Sequence, residues 1–206
     1  MWYHSNAQDQ DLYKREPWGT ALPLLEDVYN FEDALLVGLM LITILKNTDR
    51  VKVACMAQLV NVIAPIMTRP GGGAWAQTIY WPLMQASTLG RGTSLLPLIT
   101  TDKADTRHYS DVPLVDAAAV LREDGSLVIF AVNRDLDAPA ALECDLRSFG
   151  AFARGAHSVL HHDDMKAVNT EAAPDTVVPR DVPFDLKDGV IVLPAASWNV
   201  IRLYRE

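Results

Sequence analysis

From Ala34 to Leu45 the chain is apolar on almost every side of a helical register. That pattern predicts a helix buried around most of its circumference, set here at Leu24–Lys46. Acidic residues (Glu26, Asp27, Glu32, Asp33) crowd its start and Lys46 sits in its last turn, an order that complements the helix dipole. Residues 1–23 are polar and broken by Pro17 and Pro23, as expected of a long loop. Val51–Met56 alternates little, as does a parallel strand covered on both faces. A Pro70-Gly71-Gly72-Gly73 loop precedes a second predicted helix, Ala74–Ser87, bent near Pro82. Gln85 is expected on that helix.

Beyond Gly92 the pattern changes to short β-rich runs between turn signals. Strands are expected at Ser94–Thr100, Val115–Leu121, Leu127–Asn133, Ala141–Leu146, His157–His161, Pro183–Leu186, Val190–Leu193 and Trp198–Tyr204. Such spacing suits an antiparallel sandwich, with Trp198 and Tyr204 as core aromatics. The expected fold is α/β plus β. Residues 1–92 are the C-terminal part of a (β/α)8 barrel; residues 93–206 are an antiparallel, jelly-roll-like β-sandwich.

Composition narrows the chemistry. With 206 residues, half of them hydrophobic and a fifth charged, the chain can bury a sizeable core. A net charge of -8 argues against nucleic acid or an anionic membrane surface as partner. The apolar run is too short to span a bilayer, and no signal peptide is expected at the N-terminus. Cys55 and Cys144 lack any motif spacing and are read as buried thiols in a reducing compartment. His161-His162-Asp163-Asp164 are consecutive, so they alternate faces on a strand and suit a solvated turn better than a metal site. Gly71-Gly72-Gly73 lacks the Gly-Lys-Ser/Thr ending of a phosphate loop. No metal and no cofactor is expected.

The wording of three segments is more specific than their pattern. Trp2-Tyr3-His4-Ser5, Leu24-Leu25-Glu26-Asp27-Val28-Tyr29-Asn30 and Val51–Gly92 closely resemble the α-L-arabinofuranosidases of glycoside hydrolase family 51. The resemblance extends over essentially the whole chain but only the later part of such an enzyme. It implies a retaining hydrolase that releases terminal arabinofuranosyl residues from arabinan- or arabinoxylan-derived saccharides. Retention needs two carboxyl groups about 5–5.5 Å apart. In the family the nucleophile lies in an Asp-Glu-Trp-Asn sequence just before Trp-Tyr-His-Ser, and the acid/base lies in an upstream Asn-Glu pair. Neither pattern occurs in these 206 residues, so no catalytic residue is assigned. The acidic cluster at 26–33 is read as a solvated helix cap.

Two substrate-binding residues carry over by resemblance. Trp2 matches a tryptophan that walls the arabinose pocket, and Gln58 a glutamine that hydrogen-bonds the sugar. An aromatic face suits the apolar side of a sugar, and an amide both gives and accepts hydrogen bonds. Asn61 and Trp75 are weaker candidates, for which a structural role is the better reading. The resemblance further implies a cytoplasmic enzyme that is a homo-oligomer when complete. The alternatives are a non-catalytic carbohydrate-binding or assembly module, and one chain of a split enzyme.

Overall fold

The computed structural model describes residues 27–184 and 190–205. Helix α1 spans Phe31–Lys46. Asn30 starts it through a capping box: its side chain accepts from the Asp33 amide at 3.1 Å, and Asp33 Oδ2 accepts from the Asn30 amide at 2.8 Å. At the other end Lys46 pairs with Asp116, a cation where the dipole is negative.

A two-stranded antiparallel hairpin follows, β1 (Ile66–Thr68) with β2 (Ala74–Ala76). Helix α2 spans Tyr80–Leu89. The remaining strands are β3 (Thr93–Leu95), β4 (Lys103–Ala104), β5 (Val112–Pro113), β6 (Val115–Leu121), β7 (Leu127–Asn133), β8 (Ala140–Glu143), β9 (Arg154–Leu160), β10 (Arg180–Val182), β11 (Val190–Leu193) and β12 (Ser197–Tyr204). Six of them form one antiparallel sheet in the order β10-β9-β12-β7-β6-β3. The β6–β7 turn is set by Gly125, whose φ of +77° favours glycine, and by Asp124 accepting from the Ser126 amide.

Each face of this sheet is covered, so its central strand β7 is buried along its whole length. On one face Phe31, Ala34, Leu35, Ile42 and Leu45 of α1 pack against Val120, Phe130, Trp198 and Val200. On the other, Ile191 and Leu193 of the β8–β11 pair cover Ala117, Ile129, Ile201 and Leu203. The described residues are therefore mostly antiparallel β with two α-helices, the strands lying where an antiparallel sandwich was expected in the later part of the chain.

The earlier part departs from expectation. Val51–Met56 forms no strand and joins no ladder among the described residues. A parallel strand needs hydrogen-bonded neighbours, and the described residues supply none. No two named strands pair in parallel, so the described residues do not form barrel elements by themselves. The expected Ala74–Ser87 helix is split, because the glycine loop turns the chain back to pair Ala74–Ala76 with Ile66–Thr68. Pro82 does not bend α2. It lies in the first turn, where amides have no intrahelical acceptor to lose. Helix α1 is buried along one face only, against the sandwich. Cys55, on the unpaired Val51–Met56 segment, is exposed, and Cys144 is half-buried; the buried-thiol expectation fails outright at Cys55.

Candidate sugar-facing loop

The Val51–Met56 segment is followed by a cis Ala57–Gln58 peptide. Gln58 is exposed. The loop that follows takes an unusual path: Asn61 and Val62 have φ of 62° and 61°. Asparagine tolerates the left-handed region, whereas a β-branched valine is an outlier there. Such conformations cost on the order of 1–3 kcal/mol each and persist only when their surroundings over-determine them.

The surroundings do so. Asn61 Oδ1 accepts from the Thr68 amide at 2.7 Å, and its Nδ2 donates to Thr68 Oγ1 at 2.9 Å. The Asn61 amide donates to Ile66 O at 2.8 Å. Val62 O accepts from the Asp27 amide at 3.0 Å, and Ile63 O from the Tyr29 hydroxyl at 3.1 Å. Burial, with Asp27 and Asp33 nearby, pushes the Tyr29 hydroxyl up to about 12, so it stays a donor. Behind the loop, buried Gln77 donates to Ala64 O at 2.8 Å and Asp27 O at 3.2 Å and accepts from the Tyr29 amide at 2.9 Å.

Beside this loop lies a groove of about 520 Å³. Leu36, Val37, Met40 and Leu41 on the outward side of α1 line one wall, and residues 54–57 the other.

Comparison with known proteins identifies the chain. A family model described as the alpha-L-arabinofuranosidase C-terminal domain matches residues 1–197. The chain belongs to this family. Along its whole length it is 50% identical to the intracellular exo-alpha-(1->5)-L-arabinofuranosidase 1 of Bacillus subtilis (strain 168), of which it covers 41%. The Acetivibrio thermocellus protein of the same description is 46% identical over 98% of this chain and 41% of its own length. Among solved structures, a family 51 alpha-L-arabinofuranosidase from Bifidobacterium longum superposes with a TM-score of 0.83 at 39% identity. It covers 92% of this chain and 38% of that one. The chain thus spans about two fifths of the length of the curated relatives it matches.

Within this arabinofuranosidase domain the sequence-derived residues divide as follows. Trp2 lies outside the described residues, as does Glu26. Gln58 opens the strained loop, with its side chain free of hydrogen bonds to described residues. The Asn61 side chain is engaged with Thr68. Trp75 is half-buried on β2 opposite Met67. The acidic cluster is not a solvated cap: Asp27 and Asp33 are both buried, because one meets the Val62 carbonyl through its amide and the other closes the capping box. Glu32 pairs with Lys166.

The side chains of His161–Asp164 do not all converge, although His161 Nε2 lies 3.4 Å from Asp163 Oδ1. His161 sets its ring edge-on to Phe31, with centroids 6.2 Å apart. His162 Nδ1 accepts from the Asp164 amide at 3.0 Å. No cluster of metal-ligating side chains occurs among the described residues, and no described helix is long and apolar enough to cross a membrane.

Three contributors escape sequence reasoning. Gln77 organises the loop from behind. Arg69 and Glu171 pair across 102 positions, Arg69 Nε to Oε2 at 2.7 Å and Nη2 to Oε1 at 2.9 Å. The Arg69 hydrogen bond and the Gly73 amide hold the Glu171 carboxyl below its usual range. No local pattern announces such a long-range pair.

Proposed function

We propose that this chain is the C-terminal portion of an enzyme that releases terminal α-L-arabinofuranosyl residues from arabinan- or arabinoxylan-derived saccharides. The observation that carries this reading is the 50% identity, over the whole chain, to a relative named as an intracellular exo-alpha-(1->5)-L-arabinofuranosidase. The reaction proceeds with retention, through a covalent arabinosyl-enzyme. Its carboxylate pair comes from the part of the enzyme outside these 206 residues. This chain supplies the Gln58 amide to the sugar hydroxyls and the Trp2 ring to the pocket wall. In the whole enzyme residues 1–92 complete the (β/α)8 barrel, and residues 93–206 form the jelly-roll-like sandwich. The apolar groove beside α1 supports this, being a surface suited to other barrel elements. The enzyme is cytoplasmic and homo-oligomeric.

The test joins this chain to the upstream portion of the Bacillus subtilis relative and assays an aryl α-L-arabinofuranoside. The joined protein should turn the substrate over, and the 206-residue chain alone should stay at background. A folded joined protein without turnover, or real turnover by the chain alone, would overturn the reading.

A further inference from the structure

We infer that Glu171 and Arg69 are positioning residues for the sugar-facing loop, the sandwich bracing through them the hairpin that sets residues 58–64. The inference rests on the proposed function, because it takes Gln58 as a sugar contact.

The Gln58 loop does not hold its own shape. Asn61 and Val62 are both left-handed, and the loop depends on β1 for its template through the Asn61–Thr68 clasp and the Asn61 amide on Ile66 O. The template is itself weak. Strands β1 and β2 are three residues each and, among the described residues, pair with no third strand, Ile66 adding one parallel bridge to Val60 of the loop itself; an isolated two-stranded hairpin is marginal in water. Something else must fix it.

The loop after β9 does. Buried Asn169 takes the Val177 amide on Oδ1 at 2.7 Å and donates from Nδ2 to Ala76 O on β2 at 3.1 Å. Two residues on, Glu171 receives both arms of Arg69 and, at 3.2 Å, the Gly73 amide. Arg69 directly follows Thr68, the residue Asn61 grips. The tip is shaped for the carboxylate: a Cβ on Gly72 would lie 2.8 Å from Glu171 Oε1 and 2.9 Å from Arg69 Nε. An exposed ion pair adds little stability. A bidentate fork fixes geometry, and geometry is what a sugar-binding amide needs.

The experiment has two arms. In the 206-residue chain, Glu171→Ala should speed amide exchange at Asn61 and Thr68 on the order of tenfold, leaving β7 and β12 unchanged. Gly72→Ala, which pushes the fork apart, should do the same. In the joined enzyme, Glu171→Ala should lower kcat/KM for an aryl arabinofuranoside on the order of tenfold, with the loss in kcat. Arg69→Ala should match it, the double variant should lose no more than either, and Glu171→Gln should fall between. Lys166→Ala breaks the Lys166–Glu32 pair at the start of α1 and should leave kcat unchanged. Unchanged exchange at 61–68 overturns the inference whatever the activity. So do additive losses in the double variant, and undiminished kcat in Glu171→Ala. An inactive parent enzyme refutes the proposed function instead, and the exchange arm still decides the brace.

Discussion

The indole N–H of Trp198 on β12 donates to Gln85 Oε1 on α2 at 2.8 Å, across 113 positions of sequence. Both residues are buried, and this bond fixes how α2 meets the core. Gln85→Ala strands a buried donor and should cost about 1–3 kcal/mol, read from urea unfolding. A loss within 0.5 kcal/mol, as at an ordinary surface site, would show that the bond does not matter.

Gly38 on α1 faces the same ring. A Cβ there would stand 2.6 Å from Trp198 Cε3. The ring cannot retreat easily, since it is stacked on Phe130 with centroids 5.7 Å apart. Alanine gains about 1 kcal/mol of helix propensity, but overpacking costs about 1–3 kcal/mol. Gly38→Ala should therefore be destabilising on balance, by chemical denaturation. A stabilised variant would mean that α1 sits farther from the sheet than described.

His157 on β9 is buried, with Nε2 2.9 Å from Asn199 Oδ1. Asn199 Nδ2 donates to Ser197 Oγ at 2.8 Å, so its Oδ1 faces the ring and Nε2 is the donor. Burial lowers the His157 pKa, opposed by the Asn199 bond and by Asp181. The folded protein thus binds this proton less readily than the unfolded chain. The stability His157 contributes is full above about pH 6.5 and is lost as the pH falls through the lower folded value. Urea midpoints should drop between pH 7.5 and pH 5, and His157→Gln should flatten that slope. An equal slope in the variant would assign the acid sensitivity elsewhere.

Several strands were legible from their residues, whereas the expected Ser94–Thr100 strand shrinks to Thr93–Leu95 and Pro183 and Phe184 join no strand. Val115–Leu121, Leu127–Asn133 and Val190–Leu193 occur where the apolar runs and Gly turns put them, and β12 begins one residue earlier than expected. Period and turn chemistry are local signals, and these strands obey them. The larger failures were not local. Val51–Met56 has a strand's composition, but a strand is made by neighbours. Ala74–Ala76 reads as helix until the glycine turn aims it back at β1. Gln85 does lie on a helix, as expected, yet nothing nearby announces a buried partner 113 residues away. At the candidate site, resemblance alone proposed Gln58, while Gln77 and the Arg69–Glu171 fork appear only once the chain is folded.

Gln58 offers the most direct test, because its two possible roles separate cleanly. The side chain is exposed and bonded to none of the described residues, so Gln58→Ala should leave the unfolding midpoint of the chain within about 0.5 kcal/mol of the parent. In the enzyme completed with its upstream portion, the same change should weaken transition-state stabilisation by about 1–3 kcal/mol, with kcat falling as well as apparent affinity. The decisive measurement is kcat/KM of Gln58→Ala against parent on an aryl α-L-arabinofuranoside. A drop of roughly five- to a hundredfold at unchanged stability is the expected result. Equal kcat/KM in the two enzymes would contradict the placement of this loop against the sugar.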